Sequence, residues 1–122
     1  MSDYDQVAHG MGFFDGEGHV GISKSGVVSC ECEQVEPGPL FEMQTQFGGH
    51  VNARGTRDTW RWRISAQADV LFFLNILVDY SWGKKKHEAR VALDRMNGKL
   101  TVDQARAQMH RIRKGHHEFQ PK

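Results

Sequence analysis

The sequence predicts an α+β fold: a four-stranded antiparallel sheet with helices covering one of its faces. Three observations carry this expectation. Two pairs of short segments show two-residue alternation, and a turn-rich stretch joins the members of each pair. Apolar residues recur at helical spacing before, between and after these pairs. Each strand offers one apolar and one polar face, so helices are required on the apolar side while the polar side stays open.

The elements follow in order. Tyr4 to Phe14 has the composition of a helix, and Gly16-Glu17-Gly18 marks its exit. His19 to Ser23 then reads as a strand with Val20 and Ile22 on one face. Val27 to Gln34 reads as its partner, with Val28, Cys30 and Cys32 on one face and Ser29, Glu31 and Glu33 on the other; Lys24-Ser25-Gly26 forms the turn. Pro37 and Pro39 suit the first turn of a second helix, along which Leu40, Phe41, Met43 and Phe47 follow at helical spacing until Gly48-Gly49 stops it. In the second hairpin His50, Asn52 and Arg54 alternate with Val51 and Ala53. After a turn around Gly55, Arg61 and Arg63 alternate with Trp60, Trp62 and Ile64, and both tryptophans are expected in the core.

Ser65 is a candidate cap for an apolar helix reaching about Asp79, with Val70, Leu71, Leu74, Ile76, Leu77 and Val78 to bury. Lys84-Lys85-Lys86 opens a further helix that ends near Asn97-Gly98. Thr101 and Gln104 form a capping box for a last, basic helix to about Lys114. The expected organisation is one domain over residues 1–114 and a disordered tail over 115–122.

Composition narrows the class. With 39% apolar and 25% charged residues, the chain has enough apolar surface for a core. Its most apolar stretch, Val70 to Val78, is far short of the roughly 20 residues of a membrane helix, so no membrane partner is expected. The opening residues, Met-Ser-Asp-Tyr-Asp-Gln, are acidic and show no apolar signal core, which places the protein inside the cell, in cytoplasm or an organelle. Cys30 and Cys32 share a strand face, which favours buried, reduced thiols over a strained disulfide. Asp15-Gly-Glu-Gly lacks the spacing of a calcium loop, and His87, His110, His116 and His117 lack companion zinc ligands.

The net charge of +1 hides an asymmetry. Residues 1–47 hold one base, Lys24, against eight acids, a net −7 that leaves the remainder at +8. A basic surface of that kind attracts a polyanion. The open sheet face would carry Ser29, Glu31, Glu33, His50, Asn52, Arg54, Arg61 and Arg63, with Arg57 at the turn. Arginine, asparagine and histidine at two-residue intervals suit base edges in a major groove, arginine on guanine and asparagine on adenine, and Glu31 is able to accept from cytosine. The same residues also fit a plain solvated face on which Arg61 and Arg63 pair with Glu31 and Glu33.

Gly10-Met-Gly-Phe-Phe-Asp-Gly-Glu-Gly18 resembles the signature of the LAGLIDADG homing endonucleases. The order helix, two strands, helix, two strands, helix also resembles that family's core, as do Phe47-Gly48-Gly49, Trp60-Arg-Trp-Arg-Ile-Ser65 and Gly83-Lys-Lys-Lys86 in their sequence positions. The resemblance covers residues from about 5 to 97. It implies a saddle-shaped sheet on double-stranded DNA, with Lys24, Ser29, Glu31, His50, Asn52, Arg54, Arg57, Arg61 and Arg63 as DNA contacts. Ala8, Gly12 and Gly16 recur every four residues, a side-chain-poor stripe along which a second helix backbone can approach closely. One motif copy implies a homodimer through this helix, with Ala8, Gly12, Asp15 and Gly16 at the interface, and therefore a pseudo-palindromic site. Asp15 itself is expected to cap the motif helices.

By the same resemblance Glu17 is the acid and the Gly16 carbonyl its companion on a divalent metal, Mg2+ or Mn2+. Gln34 and Lys85 would organise water and charge at the scissile phosphate, with Lys84 or Lys86 as alternatives to Lys85. Glu17 stands where aspartate is commoner. Glu31 and Glu33 would be costly beside phosphates unless they meet cytosine amino groups or pair with arginine. The competing expectation is a non-cleaving protein of the same fold, an RNA splicing maturase or a DNA-binding regulator.

Overall fold

The computed structural model describes residues 3–55 and 57–115. Among these residues nine elements follow one another: α1 (Asp3–Glu17), β1 (Gly18–Ile22), β2 (Val28–Gln34), α2 (Gly38–Phe47), β3 (His50–Arg54), β4 (Thr59–Ile64), α3 (Gln67–Tyr80), α4 (Lys84–Met96) and α5 (Val102–Arg113). The strands form one antiparallel sheet in the order β1-β2-β4-β3, so the two hairpins join through their second strands. This is the predicted α+β architecture. The tail expected from Gly115, with His116 and His117, lies outside the described residues apart from Gly115 itself.

The core lies between the sheet's apolar face and the helices. Val20, Val28, Cys30, Cys32, Trp62 and Ile64 come from the strands, Met11 and Phe14 from α1, and Leu40, Met43 and Phe47 from α2. Phe73 of α3 is the hub. It packs edge-on against Phe14 at 4.8 Å and Phe47 at 5.0 Å, and tilted against Trp62 at 5.4 Å, ring geometries that favour opposed quadrupoles. The buried Trp62 indole donates to the Gly48 carbonyl at 2.9 Å, so its one polar atom is satisfied.

Two glycines show why the chain turns where it does. Gly49 has φ +88°, and a Cβ there would sit 2.4 Å from the Arg63 carbonyl oxygen; no other residue type fits between α2 and β4. At Gly18, a Cβ would meet the Phe14 ring at 2.3 Å. The glycine that closes the motif therefore makes room for a core ring.

Several local expectations need correction. α1 runs through Gly16 to Glu17 instead of ending near Phe14, so the acid of the motif is the last helical residue. Ser65 is no cap: Ala66 occupies that position, without a side-chain cap bond. On α3 the buried stripe is Val70, Phe73, Leu74 and Leu77, while Leu71 is exposed and Ile76 and Val78 are partly buried, because three- and four-residue spacing selects one face of an apolar run. Phe41 is exposed and leans on the half-buried Trp60 at 6.4 Å. The capping box of α5 forms as expected, Gln104 N donating to Thr101 Oγ1 at 3.1 Å and Thr101 N to Gln104 Oε1 at 2.9 Å.

The C-terminal helices also protect a sheet edge. Arg106 and Arg113 of α5 donate to the Ile22 and Val20 carbonyls of edge strand β1, occupying acceptors that another chain's strand would otherwise seek. Arg113 Nε lies 3.9 Å from the buried Glu88 carboxylate of α4. Arg95 donates to the carbonyls of Gly26, at 3.4 Å, and Leu100, at 3.1 Å, tying the β1–β2 turn to the α4–α5 loop.

Candidate nucleic-acid interface

Two expected site residues meet. Because Gly18 is paired with Cys32, the end of β2 returns beside the C-terminus of α1, and Gln34 Nε2 donates to Glu17 Oε2 at 3.2 Å. Glu17 is exposed, and its backbone belongs to the last turn of α1, where carbonyls, Gly16's among them, have no intrahelical donor. Lys85, in the first turn of α4, is half-buried and lies within electrostatic reach of His19 and of Cys32, as Glu17 also does of Cys32. Lys84 instead extends toward the end of α5, its Nζ 3.9 Å from where a Cβ on Gly115 would stand.

Asp15 points elsewhere. Its Oδ1 accepts from the hydroxyl of the buried Ser81 at the C-cap of α3, which anchors α1 to the α3–α4 junction. Among the described residues no group of three or more histidine, cysteine, aspartate or glutamate side chains comes close enough to hold a metal. Among the described residues, the Glu17 carboxylate and the helix-end carbonyls are the oxygen donors that meet here. Such oxygen donors suit a hard divalent cation, and a second copy would double them. The buried thiols are no ligands here: burial, reinforced by nearby Glu17, pushes Cys32 up to about 12, and burial raises Cys30 as well.

The small residues of α1 divide into two sets. Gly10 and Gly18 face this chain's own Phe47 and Phe14. Gly12 and Gly16 are exposed, and a Cβ on either would meet nothing within 4 Å. Together with half-buried Ala8 they form a smooth outward stripe. Two aromatic residues that sequence reasoning did not assign to a site are exposed near it, Phe41 on the neighbouring α2 and Trp82, at 95% exposure, directly after the Ser81 that holds Asp15.

On the other side of the sheet the polar residues project together. The register sets Glu31 opposite Arg63 and Glu33 opposite Arg61, and on the far side of β4 it sets His50 beside Arg63 and Asn52 beside Arg61. Arg61 crosses to Glu31 at 3.3 Å, and Arg54 and Arg57 lie 3.6 and 3.7 Å from Glu33. Ser29 is half-buried opposite Gly21, and Lys24 is exposed in the β1–β2 turn. Of the paired arrangement expected for a solvated face, Arg61–Glu31 is present, whereas Arg63 is exposed and holds no ion pair among the described residues. Sequence reasoning missed His19. It faces away from buried Val20 and Ile22, opposite Glu31, two residues after Glu17. Burial, then the nearby Arg113, lowers its pKa below 6.5, so it is neutral at pH 7. Strand alternation alone would have found it.

No known protein-family profile and no curated protein matches the sequence. Solved structures do match the fold. The homing endonuclease I-CvuI in complex with its target in the presence of calcium superposes with a TM-score of 0.73 at 17% identity, over 99% of this chain and 89% of that one. The archaeal intron-encoded homing endonuclease I-Vdi141I complexed with DNA gives 0.67 at 16% identity, over 99% and 90%. I-SmaMI bound to uncleaved DNA target with calcium ions gives 0.60 at 21% identity, but this chain spans only 42% of its length. The helix order, the sheet topology and the motif at the end of α1 converge with these likenesses: the chain has the fold of the LAGLIDADG homing endonucleases.

Proposed function

We propose that the protein is a sequence-specific, divalent-metal-dependent endonuclease that acts as a homodimer and hydrolyses both strands of a pseudo-palindromic DNA site. The observation that carries this reading is the Gln34–Glu17 hydrogen bond, which ties a carboxylate next to the outward glycine stripe to the end of β2, the strand that carries Glu31 and Glu33. Residues 1–114 act as one such domain, inside the cell, where DNA is found. I-CvuI and I-Vdi141I, which share the fold over most of their length, were each solved with DNA.

In this mechanism the stripes of two copies pack together through Ala8, Gly12 and Gly16, with Asp15 flanking them, and bring Glu17 and its twin side by side. Glu17 and the Gly16 carbonyl would hold a magnesium or manganese ion, which would supply Lewis acidity at the phosphate. Gln34 restrains the Glu17 carboxylate and, from the same amide, orients water. Lys85 places a positive charge near the phosphate, where negative charge builds in the transition state. The basic residues of the open face, Lys24, His50, Asn52, Arg54, Arg57, Arg61 and Arg63, together with Ser29 and Glu31, dock the duplex and set the register of the cut.

The test is incubation of the purified protein with a randomised duplex library and magnesium, manganese or calcium, followed by sequencing of cut ends. Staggered, metal-dependent cuts at one palindromic consensus are expected. Enrichment of bound duplex without cuts would replace the nuclease with a DNA-binding regulator, and preference for a structured intron RNA would replace it with a splicing maturase.

A further inference from the structure

Both carboxylates of the open face are engaged by arginine. Glu31 accepts from Arg61 at 3.3 Å. Glu33 accepts from Thr59 Oγ1 at 3.0 Å and has Arg54 and Arg57 at 3.6 and 3.7 Å. Arg61 stands directly opposite Glu33, yet it turns to the diagonal Glu31, because the arginines of β3 and the β3–β4 turn already surround Glu33. Only Arg63 among the four site arginines is left exposed and without an ion pair among the described residues.

This arrangement has a chemical consequence for a polyanion. A phosphate that takes an arginine from its glutamate must lie beside the carboxylate it displaced, and like charges so close repel. A G·C edge presents no such conflict. Guanine O6 and N7 accept from arginine while the adjacent cytosine amino group donates to a carboxylate, so an Arg–Glu pair matches the two halves of one base pair.

Resting on the DNA-cleaving reading above, we infer that Glu31 and Glu33 are selectors: they withhold Arg61, Arg54 and Arg57 from phosphates and release them to base edges, leaving Arg63 for first contact. Discrimination then comes as much from repulsion of wrong partners as from attraction to the right one. The two acids on an otherwise basic DNA-facing sheet contribute specificity at the expense of affinity.

The experiment compares the wild type with Glu31→Gln and Glu33→Gln on two duplexes across a salt series, one the preferred site from library selection and one random. Thermal melts verify that the near-isosteric variants fold. Each variant is expected to bind random duplex about tenfold more tightly, the effect of about one removed charge repulsion, and to lose a similar factor in the preferred-to-random ratio. Its salt dependence should steepen by about one unit as a freed arginine reaches a phosphate. Unchanged affinity for random duplex would overturn the inference and leave the acids as plain cytosine contacts or inert neighbours. Failure of the wild type and both variants alike to bind any duplex would overturn the nuclease reading, and the inference with it.

Discussion

Gln34 and Glu17 are 17 residues apart and joined by a single 3.2 Å hydrogen bond from amide to carboxylate. The contact depends on the β1–β2 hairpin, which brings the last residue of β2 back to the last residue of α1. Glu17→Gln retains the length and the hydrogen-bonding shape but removes the charge that would hold a divalent ion. The expected outcome is loss of cleavage with dimerisation and DNA affinity retained, read by supercoiled-plasmid cutting beside sedimentation and gel shift. Residual cutting near wild-type rate would remove Glu17 from the catalytic role.

The two sets of motif glycines predict opposite phenotypes. Gly12→Leu adds a side chain whose Cβ meets nothing within 4 Å among the described residues and improves helix propensity by roughly 1 kcal/mol, so the monomer's melting point should hold or rise while self-association is lost. Gly18→Ala inserts a methyl group where the Phe14 ring lies and should destabilise the fold by about 1–3 kcal/mol. Sedimentation and thermal melts on both variants separate the cases. A Gly12→Leu protein that associates like the wild type would show that the stripe is no interface.

Much of this layout is legible in the sequence, because strong local rules govern it. Alternation in Val28–Cys32 and Trp60–Ile64, the glycine pair Gly48-Gly49, and the Thr101–Gln104 box each act over a few residues, and the structure holds all three. What escaped is what neighbours decide. The continuation of α1 across Gly16 goes against glycine's intrinsic preference, and the Asp15–Ser81 bond to the α3–α4 junction supports that turn from another element. Phe73 was hidden in an apolar run whose buried face is chosen by Phe14 and Phe47. On the open face, alternation predicts which residues project. The turning of Arg61 toward Glu31 depends on β3 lying beside β4, and no single segment contains that information.

The buried thiols predict an alkaline limit to stability. Cys32 is ionised in the unfolded chain above its ordinary value of 9.0, but in the fold only near 12, with Cys30 raised in the same sense. Between those values the unfolded state binds fewer protons than the folded one, so stability is intact below about pH 9 and falls as pH rises toward 12. Urea melts at pH 8, 9 and 10 should show this decline, and Cys30→Ala with Cys32→Ala should flatten it. Thiol reagents at neutral pH should label neither residue until the protein unfolds. Rapid labelling of the native protein would contradict their burial.

Arg113 links three elements, donating to the Val20 carbonyl of β1 and standing 3.9 Å from Glu88 of α4 while belonging to α5. Glu88 is 4% exposed, and among the described residues its Oε2 has no hydrogen-bond partner, so the Arg113 guanidinium stands beside a buried carboxylate oxygen. Arg113→Ala removes a charged donor from a strand-edge carbonyl and leaves the carboxylate without that compensation; because Arg113 is partly exposed, the cost should be about 1.5–3 kcal/mol, the range for a single charge-assisted bond. Arg113→Ala with Glu88→Gln should recover part of the loss, since the neutral amide no longer needs the cation. With β1's edge uncovered, the single variant should also aggregate sooner on heating. Urea melts of the two variants together with light scattering measure both effects, and equal stability of Arg113→Ala and wild type would show that α5 holds the β1 edge by Arg106 and apolar packing alone.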